Sequence, residues 1–82
     1  MTLHEFRSHS LYVQRTLLKL VGVYLAERRI RDLTVFLFYL DGFYVEAFFE
    51  QESGKVMRVK SFEETDKLDP YLSQINVAGL ML

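Results

Sequence analysis

The chain is predicted to form a two-layer α+β domain. A long N-terminal helix packs on a three-stranded antiparallel meander, and a short C-terminal helix follows. Three observations predict this order. Apolar residues recur at helical spacing from Phe6 to Leu25, and an uncharged β-branched and aromatic run fills 34–40. Two glycine-containing turns, at Asp41-Gly42 and at Gln51 to Gly54, then separate that run from two further strand-like segments. With 82 residues the chain has room for a single domain, 1–82.

The first helix is placed at about 3–31. Thr2-Leu3-His4-Glu5 has the spacing of a capping box, in which the threonine hydroxyl accepts from the third helical amide and the glutamate reaches back. Ser8 and Ser10 are alternative starts. Phe6, Val13, Leu17, Leu20 and Tyr24 share one face, and Arg15, Lys19 and Arg29 mark the other. Gly22 falls inside this helix at a cost of about 1 kcal/mol against alanine. Arg28, Arg29 and Arg31 would lie in its last turn, where cations suit the helix dipole.

The strands are placed at about 33–40, 43–51 and 55–62. Asp41-Gly42 suits a two-residue turn whose central residues both need positive φ. For the second hairpin, a three-residue loop with a glycine bulge pairs Phe49 with Met57, Ala47 with Val59 and Glu46 with Lys60. One face then holds Phe36, Phe38, Leu40, Phe43, Val45, Ala47, Phe49, Met57 and Val59, a core face. The other carries Val35, Leu37, Tyr39, Tyr44, Phe48, Val56 and Phe62 among Glu46, Glu50, Arg58 and Lys60. That is more apolar than a solvated face should be. Glu46 with Lys60 and Phe48 with Arg58 are the expected cross-strand pairs. The first strand, at the edge of a three-stranded sheet, would be an apolar edge in need of cover.

Ser61-Phe62-Glu63-Glu64 repeats the capping-box spacing, and Asp69-Pro70 suits a second helix start. A kinked or two-piece helix at about 63–75 follows, with Tyr71, Leu72 and Ile75 on one side. The tail 76–82 carries no charge and ends in Gly79-Leu80-Met81-Leu82, so it is expected to pack on the second sheet face or on a partner.

A chain this short buries only roughly 60% of its unfolded surface, and with no cysteine it has no disulfide to compensate. Aromatics make up 15% of it, and a homodimer is the simplest source of further burial. The net charge of −1 conceals a gradient: 1–31 has six Lys/Arg against two acids, and 32–82 has four against nine. Neither part is basic enough to argue for nucleic acid. No apolar run reaches the ~20 residues of a membrane span. Lys19 interrupts the signal-peptide-like run from Leu17 to Ala26, so a cytoplasmic location is expected.

No catalytic, metal or cofactor signature is found, and a non-enzymatic protein is expected. His4 and His9 are five apart, where a helical metal pair needs three or four. The serines lack nucleophile-elbow glycines, and the four glycines stand singly rather than in a phosphate-binding loop. Glu63, Glu64, Asp66 and Asp69 lack the alternation of a calcium loop.

The element order helix-strand-strand-strand-helix is similar to that of double-stranded-RNA-binding domains. That family places lysines where this chain has Ser61-Phe62-Glu63-Glu64-Thr65-Asp66-Lys67, so the resemblance implies topology and not RNA binding.

The first expectation for function is a protein-interaction module. It would be homodimeric through Val35, Leu37, Tyr39, Tyr44, Phe48, Val56, Phe62 and the tail residues Leu80, Met81 and Leu82. The alternative is a carrier of a small apolar ligand, held between helix and sheet by Tyr24, Phe36, Phe38, Phe43 and Phe49. The third is weak nucleic-acid binding through Arg15, Lys19, Arg28, Arg29 and Arg31.

Overall fold

The computed structural model describes residues 1–72. The class is α+β as expected, but the sheet has four strands rather than three, and the long helix is replaced by two short ones. Helices α1 (Leu3–Arg7) and α2 (Leu11–Val21) precede strands β1 (Val23–Ile30), β2 (Leu33–Leu40), β3 (Phe43–Glu50) and β4 (Lys55–Phe62). A 3₁₀ turn (Thr65–Leu68) and α3 (Asp69–Leu72) follow. The strands form one antiparallel sheet in sequence order.

The N-terminal correction has local causes. Thr2 and Glu5 make the capping box of α1, but α1 ends at Arg7 with Ser8 as its cap. Ser10 then caps α2 by accepting from the Val13 amide. Gly22 does not sit inside a helix. It ends α2 in an extended conformation (φ −73°, ψ 143°), and its amide donates to the Leu18 carbonyl. Val23-Tyr24-Leu25, β-branched and aromatic, continue from it as strand. Arg28 and Arg29 therefore lie on β1, and Arg31 occupies the β1–β2 turn at φ +56°. With β1 in place, β2 is an interior strand and its edge is paired. The resulting order of elements departs from that of double-stranded-RNA-binding domains.

The central hairpin is as expected. Asp41 and Gly42 take φ +47° and +94°, and Leu40–Phe43, Phe38–Val45 and Phe36–Ala47 pair across it. In the next hairpin Ala47–Val59, Glu46–Lys60 and Phe48–Arg58 pair as expected, but Phe49 faces Val56 rather than Met57. Gly54 takes the left-handed conformation (φ +70°), yet the register slip falls between Phe48 and Phe49. Met57 is the residue left over, and it is exposed. Val56 thereby moves to the helix-covered face, where it packs against the main core.

That core lies between α1–α2 and one sheet face: Phe6 and Leu18 from the helices meet Leu40, Phe43, Val45 and Ala47. Phe6 and Phe43 are tilted rings 5.5 Å apart. Arg7 ties α1 to β4 by donating from Nε to the Ser61 hydroxyl and from its terminal nitrogen to the Ser61 carbonyl. The segment after β4 crosses to the other sheet face. It is not helical from Glu63, because Ser61 and Phe62 still belong to β4 and Glu64 makes no side-chain cap. Leu68 and Tyr71 pack there on Leu37, Phe62, Tyr44 and Ala26. No helix of the described residues is long and apolar enough to cross a membrane.

Candidate functional site

The two faces of the sheet are finished differently. On the face covered by α3, Val35, Leu37, Phe48 and Phe62 are all buried. Arg58 lies over the Phe48 ring at 4.2 Å, and Tyr44 is stacked on Phe62 with centroids 5.6 Å apart. Of the expected interface residues on this face, only Tyr39 is exposed. Val56 points to the opposite face, and Leu80, Met81 and Leu82 lie outside the described residues.

Glu46 is buried at the centre of this face, and its ion pair is not with Lys60, which faces it in register but is exposed. Arg28 reaches from β1 across β2 and donates to Glu46 Oε2 at 3.2 Å. The Tyr71 hydroxyl donates to the same oxygen at 2.5 Å. The Arg28 guanidinium also stands over the Tyr71 ring, 5.3 Å from its centre. Burial, and then the hydrogen bond to Glu46, push the Tyr71 phenol above its ordinary pKa. This triad clasps α3 to the sheet and satisfies the buried Glu46 carboxylate.

On the other face α2 covers only part of the sheet, and a cleft of about 760 Å³ opens beside it. Tyr12, Arg15, Thr16 and Lys19 recur at helical spacing along its α2 wall. The floor comes from alternate residues of the strands: Tyr24 on β1, Phe36 and Phe38 on β2, Ala47 and Phe49 on β3 and Val56 on β4. The rings form a connected chain. Tyr24 meets Phe38 edge-on at 6.1 Å and Phe36 at 6.4 Å, and Phe36 meets Phe49 edge-on at 6.0 Å. Ala47 pairs with Phe36 on one side and Val59 on the other, and it is the smallest side chain of the floor, set where the lining meets the main core.

Four of the five residues expected to line a pocket between helix and sheet (Tyr24, Phe36, Phe38 and Phe49) do line it. Phe43 is instead consumed by the core against Phe6. Tyr24 reaches the cleft from β1 rather than from a helix, and its hydroxyl donates to Glu27 Oε1 at 2.9 Å. The expected basic patch is divided. Arg15 and Lys19 face the cleft, Arg28 is bound to Glu46 on the opposite face, and Arg29 and Arg31 stand near the β1–β2 turn. Sequence reasoning missed Lys55, which joins Arg15 and Lys19 in the lining. No signal along the chain links it to α2; only the fold brings them together. Among the described residues no three His, Asp or Glu side chains are grouped as a metal site would need.

Compared with protein-family models, with curated proteins and with solved structures, the chain matches none.

Proposed function

We propose that this chain is a non-enzymatic binding module that holds a small apolar ligand in the cleft between α2 and the sheet. The observation that supports it is the connected floor of four aromatic rings that lines the cleft between α2 and the sheet. Ligand sites are concave and mostly apolar, with volumes of about 300–1,000 Å³. The strand backbones under the floor are already paired on both sides along β2 and β3, so an occupant engages side chains and not a free strand edge. The test is titration with a phenylnaphthylamine, an uncharged apolar fluorophore, against wild type and Ala47→Leu. Saturable enhancement in wild type that is lost in a folded Ala47→Leu variant supports the reading. No saturable enhancement refutes it.

A second reading, homotypic association, is favoured by a different observation. Leu20, Val21, Val23, Tyr24 and Leu25 are all exposed where α2 passes into the edge strand β1. An apolar edge of this kind is a template for another strand. Light scattering after size exclusion decides it: a dimer that dissociates in Leu25→Lys supports pairing through β1, and a monomer at tens of micromolar removes it.

A further inference from the structure

From the charge around the cleft we infer the class of ligand: an amphipathic monocarboxylate, with its apolar body along the aromatic floor and its carboxylate at Arg15, Lys19 and Lys55. This rests on the reading of the cleft as a binding site. The chain as a whole is slightly acidic, with 11 Asp and Glu against 10 Lys and Arg. The cleft lining nonetheless contains three cations and no acid. Arg15 and Lys19 stand one turn apart on α2, and Lys55 comes from the start of β4.

None of the three makes a salt bridge or a side-chain hydrogen bond with the described residues. The chain does pair cations elsewhere: Arg28 with Glu46, Lys67 with Glu64, and Arg7 with Ser61. Solvation of an apolar cleft would be served by charges of either sign. Three unpaired cations bordering four aromatic rings instead suit a molecule with one anionic end and an apolar remainder. Arg15 offers a planar fork that matches a carboxylate, and the two lysines add charge without demanding geometry. A dianion such as a sugar phosphate would leave the aromatic floor empty, and a neutral hydrocarbon would leave the cations without use.

The experiment compares dodecanoate, dodecanol and dodecylamine, three probes that share one tail, by displacement of the phenylnaphthylamine below their aggregation limits. Dodecanoate is expected to bind about tenfold or more tightly than dodecanol, a difference of about 1.4 kcal/mol. Dodecylamine should be weaker than both. Added salt should weaken dodecanoate and leave dodecanol unchanged. The triple variant Arg15→Gln, Lys19→Gln, Lys55→Gln should remove the preference, bringing dodecanoate down to the affinity that the same variant shows for dodecanol. Dodecanol binding as tightly as dodecanoate overturns this inference and leaves the cleft reading standing. A preference that survives in the triple variant overturns the assignment of the cations. No displacement by any probe, with no uptake of the fluorophore itself, overturns both.

Discussion

Replacing Tyr71 with phenylalanine tests whether the clasp between α3 and the sheet carries a measurable part of the stability. The ring stays: Tyr71 is fully buried against Leu37 and Phe62, and phenylalanine fills the same volume. What is lost is one hydrogen bond of 2.5 Å to the buried Glu46 carboxylate. A hydrogen bond to a charged group contributes about 1.5–3 kcal/mol. Glu46 keeps Arg28, so the loss should stay in that range rather than reach the cost of a stranded ion. For a domain of this size each kcal/mol lowers the melting temperature by about 4–8 °C.

The pH dependence gives a second, independent readout of the same substitution. The folded-state pKa of Tyr71 is raised, first by burial and then by Glu46, above the unfolded value of about 10. Above about pH 10 the unfolded chain gives up a proton that the folded chain retains, so the folded state binds more protons and stability falls as pH rises. The contribution of the hydroxyl is complete below the unfolded pKa and disappears as pH climbs through the folded one. The phenylalanine variant has no phenol to titrate and cannot show this slope. Urea denaturation followed by circular dichroism, at neutral pH and in steps into the alkaline range, should show wild type more stable at neutrality and the difference shrinking in alkali. A variant within about 0.5 kcal/mol of wild type at neutral pH would refute the reasoning, because surface changes alone scatter that much. So would a difference that does not change with pH.

Glu46→Ala should be worse than Tyr71→Phe, by about 3–5 kcal/mol against wild type, because it strands the half-buried Arg28 guanidinium and the Tyr71 hydroxyl together. Denaturant midpoints compare the two directly. Gly22→Ala should destabilise by about 1–3 kcal/mol, since an added Cβ would stand 2.6 Å from the Leu18 carbonyl oxygen, and the Val23 and Tyr24 amides should show the change in NMR spectra. The Glu5 carboxyl is held below its ordinary pKa by its hydrogen bonds with the Thr2 backbone and hydroxyl, so its support of α1 is complete above about pH 4.5 and is lost as pH falls through the lowered folded value. Protection of the Phe6 amide, measured against its intrinsic exchange rate, should fall in acid, and Glu5→Gln, which has no carboxyl to titrate, should abolish that dependence.

The middle of the fold was legible because its signals are local. Asp41-Gly42 specifies its turn, and the alternation of β3 against β2 specifies a register that the structure reproduces pair by pair. The N-terminal region was misread because Leu17, Leu20 and Tyr24 keep helical spacing across the boundary at Gly22. Glu27, Arg28 and Arg29 are also good helix formers, so propensity agreed with the wrong pattern. The missing information was tertiary, yet it left a trace. A strand as uniformly apolar as Val35 to Leu40 demands neighbours on both sides, and three strands supply it with only one. The β1–β2 turn was hidden because Arg31-Asp32 lacks the glycine that announces a residue of positive φ. The slip at Met57 was equally silent, and it alone decides that Val56 faces the cleft.

The same misread residues explain why there is a cleft. A helix over 3–31 would run along the sheet for about 40 Å at 1.5 Å per residue and bury the whole aromatic face. In the structure the residues from Val23 to Ile30 become sheet instead. This widens the surface to be covered by one strand spacing, about 4.8 Å, and takes the same residues away from the cover. What remains is α2, 11 residues long. Such a helix is about 16 Å long and about 10 Å across, on strands of 8 residues that each run about 26 Å. The helix must leave part of that face uncovered: Leu18 of α2 and Phe6 of α1 close the core over Leu40, Phe43 and Val45, and Tyr24, Phe36, Phe38 and Phe49 line the cleft that remains. The bare rings do not undermine the sheet, because Glu46, Arg28 and Tyr71 fasten its other face independently. Stability and opening thus reside on opposite sides of the same four strands. Substitutions in the Glu46 triad should therefore move the melting temperature and leave dodecanoate affinity alone, while Lys19 and Lys55 substitutions do the reverse.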